Sequence, residues 1–224
     1  VAAALGQQRV PRWKRVVDVG LVLLLLLPVA AGVGLLVAGW IRLVSRGGVL
    51  FRQTRVGRGG ERFTMYKFRS MSAGVETATH EVYVRELMRH NRGLAKLDLI
   101  GDRRLIIGGR WLRMAGLDEL PQLINVLRGE MSLVGPRPCL PSEAGFYPCA
   151  SCRRFELLPG MTGLWQVERS EATTFSEMLE MDERYRREMS LALDLWILGR
   201  TPVALVSQLA GCLRAPGSEA PNER

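Results

Sequence analysis

The 224-residue chain carries a formal net charge of +9, is 47% hydrophobic and only 7% aromatic. That length holds one packed domain plus a membrane element and does not require two domains. The charge sign suits an anionic membrane surface or a phosphorylated small molecule, and without a repeated aromatic-and-basic stripe for stacking bases nucleic acid is set aside.

Residues 1–15 read as a basic segment containing Arg9, Arg12, Lys14 and Arg15. From Val19 to Ile41 no residue is charged, and about 20 such residues suffice to cross a bilayer. Residues 16–44 are therefore assigned to a membrane helix. Two topologies compete: a plain span, or a re-entrant helix that enters, breaks and returns. Pro28 lacks an amide hydrogen and predicts a bend. Arg42, Arg46, Arg52, Arg55 and Arg58 follow the run. A span would place one of the two basic flanks outside, against the positive-inside tendency, whereas a re-entrant helix keeps both on one side.

A domain over 45–202 follows. Residues 49–71 predict a β-hairpin around the Gly57–Gly60 turn, and 75–98 predict a charged helix. A helix is predicted from near Asp118, with Leu120, Leu123, Ile124 and Leu127 on its apolar face and Gly129 at its end. Residues 139–172 are loop-rich. Thr174 and Glu177 have capping-box spacing for a helix that is charged through Arg187 and runs into 191–199. Residues 191–199 and 203–213 predict two interfacial amphipathic segments, the second within an interfacial helix at 203–214. Residues 215–224 read as a disordered tail. The fold class is α+β, mainly helical.

Asp118 and Glu119 sit at the predicted start of a helix. Acids there stabilise the free amides of the first turn; they also suit a nucleophile or metal ligand beside a bound phosphate. Gly135-Pro136-Arg137-Pro138 holds an arginine between two prolines, which restricts its backbone and suits a bidentate phosphate grip, or else a rigid surface turn. Lys67, Arg69 and Arg113 add positive charge. With the acids they fit a pyrophosphate-plus-divalent-metal site. Cys149 and Cys152 form a lone C-x-x-C without the partners of a zinc site. Neither a Walker lysine motif nor a G-x-G-x-x-G is present.

The segments KRVVDVGLVLLLLLP, FRQTRVG, FTMYKFRSM, LDELPQLINVLRGEMSLVGPRP, LLPGMTGLWQV and LALDLWIL resemble the bacterial sugar transferase family, the monotopic polyprenol phosphate phosphoglycosyl transferases. The resemblance runs in order over residues 13–201. It implies a re-entrant helix bent at Pro28, in the inner (cytoplasmic) membrane, with the domain on the cytosolic face. It implies transfer of a sugar 1-phosphate from a UDP-sugar donor to undecaprenyl phosphate with release of UMP, as the first membrane step of exopolysaccharide, O-antigen, capsule or glycoprotein glycan assembly. Asp118 matches the family nucleophile that carries the phosphosugar covalently, and Glu119 its partner; both are the expected Mg²⁺ ligands. By the same match Lys67, Arg69, Arg113, Arg137 and Arg169 would line the donor phosphates, and Asp182 matches an acid near the site. Membrane lipid is an implied partner, and a homodimer is compatible with the resemblance.

The match has departures: Leu27 stands where a serine is common before the bend proline, and Glu168-Arg169 stands where Gly-Arg is common. A non-catalytic membrane scaffold and a metal-dependent phosphohydrolase are the competing classes. The Asp-Glu-Leu-Pro and Gly-Pro-Arg-Pro motifs oppose the scaffold, and dependence on lipid would separate transferase from hydrolase.

Overall fold

A computed structural model describes residues 10–72, 104–145, 147, 149–168 and 173–214. The helix expected at 75–98, the tail from 215 and Arg169 lie outside the described residues.

Helix α1 (Arg12–Leu21) passes through a π-helical turn (Val22–Leu26) into α2 (Leu27–Val44). Pro28 follows the π-helical turn directly, in the first turn of α2, and its missing amide leaves a carbonyl of the preceding turn without its helical partner. The irregularity thus falls in the turn before the proline, as a widened helical turn. Helix α2 is long and apolar enough to cross a membrane, and little of it is buried. Leu24, Leu36 and Leu43 are 78%, 76% and 84% exposed.

The predicted hairpin forms: β1 (Leu50–Val56) pairs antiparallel with β2 (Arg62–Phe68), placing Phe51 opposite Lys67. Helix α3 (Gly109–Met114) leads into a 3₁₀ turn, Leu117–Glu119, and then α4 (Gln122–Arg128). The α-helix therefore starts after the two acids. Leu123 and Val126 point to the core, while Ile124, expected there, is exposed. Leu120 and Leu127 are partly buried against the core as expected, so Val126 takes the inward place read for Ile124. Gly129 ends α4 in the left-handed conformation, as its position predicts.

A second, two-stranded sheet is not signalled by the sequence. Strand β3 (Ser132–Val134) runs parallel to β4 (Gly160–Thr162). A Cβ on Gly160 would lie 2.1 Å from the Gly135 amide nitrogen, and one on Gly135 would lie 2.3 Å from the Leu158 carbonyl. Both glycines are required by this close approach of backbones. Short helices α5 (Pro141–Ala144) and α6 (Leu164–Glu168) flank a 3₁₀ segment, Cys149–Glu156.

Helix α7 (Phe175–Glu188) starts with the capping box read from Thr174 and Glu177, but it ends at Glu188, where Met189 leaves the helical conformation, and does not run into 191–199. Helix α8 (Leu191–Arg214) continues past Pro202, so the two segments expected at 191–199 and 203–213 are one helix. A proline removes a single i→i−4 bond, and the Thr201 hydroxyl bonds the Ile197 carbonyl beside the gap, at 2.8 Å. Its outer face exposes Leu195, Trp196, Val203 and Val206.

The core joins the termini. Val22, Leu123, Val126, Leu133, Tyr185 and Ile197 pack in one cluster. At its edge the buried Lys14 ammonium lies 2.6 Å from Asp194 and donates to the Tyr185 hydroxyl at 2.9 Å. The Tyr185 hydroxyl donates to Asp194 at 2.6 Å. Arg15 bonds the carbonyls of Val126 and Leu127 at the end of α4. Two residues of the basic segment before the apolar run, Lys14 and Arg15, thus dock α1 onto the domain.

Candidate active site

The candidate site is built where β2 meets the turn before α4. Asp118 is buried and Glu119 half-exposed. Lys67 reaches from β2 to Glu119 with Nζ 2.8 Å from Oε1. Sequence reasoning named both residues, and the structure pairs them. A half-exposed pair of this kind contributes little to stability. Its consequence is geometric: a lysine is held beside the acids, where it can meet an anion.

Asn125 sets the distance between β2 and α4. It is fully buried, and its side-chain amide donates to the Thr64 carbonyl at 2.7 Å and to Glu130 at 2.6 Å. Its oxygen accepts from the Tyr66 amide at 3.1 Å. The side chain pairs with the open edge of β2 as another strand would, one residue before Lys67. Asn125→Ala strands a buried carbonyl and amide and is expected to cost about 2–3 kcal/mol, read as a lower melting temperature in detergent. No sequence pattern distinguished Asn125; only the unpaired edge of β2 explains it.

Arg113 lies in the last turn of α3, just ahead of the acids. Arg69, expected to face the phosphates, is buried and donates to the carbonyls of Arg46 and Ser45 at 2.6 and 3.2 Å. In this arrangement it is a strut between the end of α2 and β2.

A second cluster surrounds Arg137. Gly135, Pro136 and Pro138 are buried, while the Arg137 side chain is exposed. Asp182, expected near the phosphates, is buried against Arg154, with Oδ2 and Nη2 3.1 Å apart. Burial lifts the Asp182 carboxyl to about 6, although Arg154 opposes the shift. Arg55 is buried too, and its guanidinium falls to about 10 through burial and the nearby Arg137. Arg55 was read from the sequence only as part of the basic flank after the apolar run, and the structure buries it on the Pro138 carbonyl instead; Arg154 had no role in the sequence reading. Their signal was weak, because an arginine on a strand or loop is ordinarily solvated.

Among the described residues no group of three His, Cys, Asp or Glu is arranged to hold a metal. Adjacent carboxylates at 118 and 119 nonetheless fit Mg²⁺, which commonly takes one or two protein carboxylates and completes its shell with water and substrate phosphates.

A domain that exposes the long apolar helix α2 beside the apolar outer face of α8 has the surface of a membrane-associated protein. The chain belongs to the bacterial sugar transferase family, whose model matches residues 9–208. It is 34% identical over 188 residues to the exopolysaccharide production protein ExoY of Sinorhizobium fredii, covering 84% of this chain and 83% of that protein. It is 38% identical over 202 residues to the UDP-glucose:undecaprenyl-phosphate glucose-1-phosphate transferase of Caulobacter vibrioides, covering 87% and 70%. The galactosyl transferase CpsE of Streptococcus agalactiae is 37% identical over 175 residues, covering 74% of this chain but only 38% of that protein.

Proposed function

We propose that the protein transfers a sugar 1-phosphate from a UDP-sugar to undecaprenyl phosphate. The observation that carries this reading is the buried Asp118 beside the Lys67–Glu119 pair, in a chain similar to a named glucose-1-phosphate transferase. An Asp118 carboxylate oxygen attacks the β-phosphorus of the donor. The bond from that phosphorus to the bridging oxygen breaks, and UMP leaves with the electron pair. A phosphate oxygen of the polyprenol phosphate then attacks the aspartyl-bound phosphorus, forming the lipid diphosphate sugar and freeing Asp118. The attack of one anion on another requires that charge be offset. Lys67, Arg113 and Arg137 serve this, with Lys67 also restraining Glu119. Asp118 and Glu119 would hold Mg²⁺, which supplies further charge neutralisation at the phosphates.

The packing supports a re-entrant topology. A straight helix from Arg12 to Val44 would be about 50 Å long. Yet α1 docks on the domain through Lys14, and the end of α2 docks through Val37 and Ile41 against Phe68 and Leu112. Trp40 also donates to the Ile107 carbonyl at 3.1 Å. Both flanks of the apolar run lie against the same domain, which suits entry and exit on the cytosolic face. The acceptor phosphate, at headgroup level, then meets the site without leaving the bilayer.

The test is to incubate detergent-solubilised protein with Mg²⁺, undecaprenyl phosphate and a panel of UDP-sugars, and to identify the released nucleotide. Multiple turnovers of UMP that depend on the lipid are expected. Release of UDP would overturn the mechanism, and sugar phosphate formed without lipid would make the protein a hydrolase.

A further inference from the structure

The Gly135–Pro138 loop is held on every side. The Gly135 amide donates to the Thr162 carbonyl at 2.9 Å, and the Gly160 amide to the Pro136 carbonyl at 2.8 Å. Arg154 donates to the Arg137 carbonyl at 2.8 Å, and Arg55 to the Pro138 carbonyl at 3.1 Å. The Val56 amide donates to the next carbonyl, that of Cys139, at 2.9 Å. Four consecutive carbonyls, 136–139, are thus bound by groups distant in sequence. Only one side chain of the loop, Arg137, faces outward.

Two of the four donors are buried guanidiniums, and burying charge is costly unless it is paired and hydrogen-bonded. Arg154 has its counter-charge in Asp182 and also lies 4.6 Å from the centre of the Tyr147 ring. Among the described residues no carboxylate is hydrogen-bonded to Arg55; Gln53 takes its Nη2 at 2.7 Å, and Glu143 is the opposite charge nearby. A plain surface turn needs none of this. The cost is accounted for if the loop must keep Arg137 in one place.

We propose that Arg154, held by Asp182, and Arg55 are positioning residues that aim Arg137 at the donor phosphates by fixing the carbonyls of Arg137 and Pro138. This rests on the reading of Arg137 as a phosphate-gripping side chain. Asp182, on α7, then acts through Arg154 and does not itself touch the donor. Burial lifts Asp182 to about 6, so its charge, and with it the hold on Arg154, weakens in mild acid. The groups facing Arg154 from the other packed segments are Tyr147, Cys139 and Glu143.

The experiment measures kcat and donor KM with saturating undecaprenyl phosphate, using whichever of UDP-glucose and UDP-galactose turns over. Arg154→Lys and Asp182→Asn are each expected to raise donor KM about tenfold with kcat little changed. Adding Arg137→Ala to either should give a KM no higher than Arg137→Ala alone, because the positioning residues act only through Arg137. Additive effects in the double variants overturn the proposal alone. An unchanged KM in Arg137→Ala overturns the phosphate grip and the proposal with it. Wild-type protein supplies a check that requires no variant to fold: donor KM should rise as pH falls through about 6, and a flat profile from about pH 5 to 8 counts against the relay. Asp182→Asn should lose that pH dependence.

Discussion

Asp118→Asn is expected to lower sugar-phosphate transfer on the order of 10⁴-fold, the scale seen when a covalent nucleophile is removed. The substitution conserves shape and removes the attacking oxyanion. Asp118 is buried at the turn before α4, and because asparagine keeps the size and shape of the carboxylate there, the melting temperature and membrane association should change little. The decisive measurement is a single incubation with radiolabelled UDP-sugar and no lipid acceptor. Wild-type protein should release about one equivalent of UMP and retain label, whereas the variant should do neither. Continued full turnover in Asp118→Asn would sink the covalent mechanism.

The second large effect is structural. Lys14→Met is expected to destabilise the protein by about 3–5 kcal/mol, because it leaves buried acids without their cation. Asp194 lies 2.6 Å from the ammonium, and Asp18 is within its electrostatic reach. For a chain of this size the loss corresponds to roughly 10 °C in melting temperature, followed by thermal melts in detergent. Replacing Asp194 by leucine in the same protein removes one stranded charge and should restore part of the loss. Proteolysis should open the junction between α1 and the domain first, since Lys14 and Arg15 dock α1 there. A melting temperature unchanged by Lys14→Met would show that the ion pair does not anchor α1.

The amino-acid sequence by itself determined the features that depend on neighbours along the chain. The uncharged run from Val19 to Ile41, the hairpin around Gly57–Gly60, the Gly129 stop and the Thr174–Glu177 capping box are all local. Each rests on periodicity or on a few adjacent residues. The Asp118–Glu119 pair and the Gly-Pro-Arg-Pro loop were legible in the same way, as short motifs. Tertiary structure alone decided which charges are paired. Lys14 and Asp194 are 180 positions apart, and Lys67 and Glu119 are 52 apart. Arg69 bonds the backbone after α2, Asn125 completes an open strand edge, and Arg154 and Asp182 stand behind Arg137. Even the parallel β3–β4 pair exists only because Gly135 and Gly160 let two distant backbones touch. A charged or amide side chain reads alike in sequence whether solvated or buried; burial and the partner it meets come from the packing of distant elements.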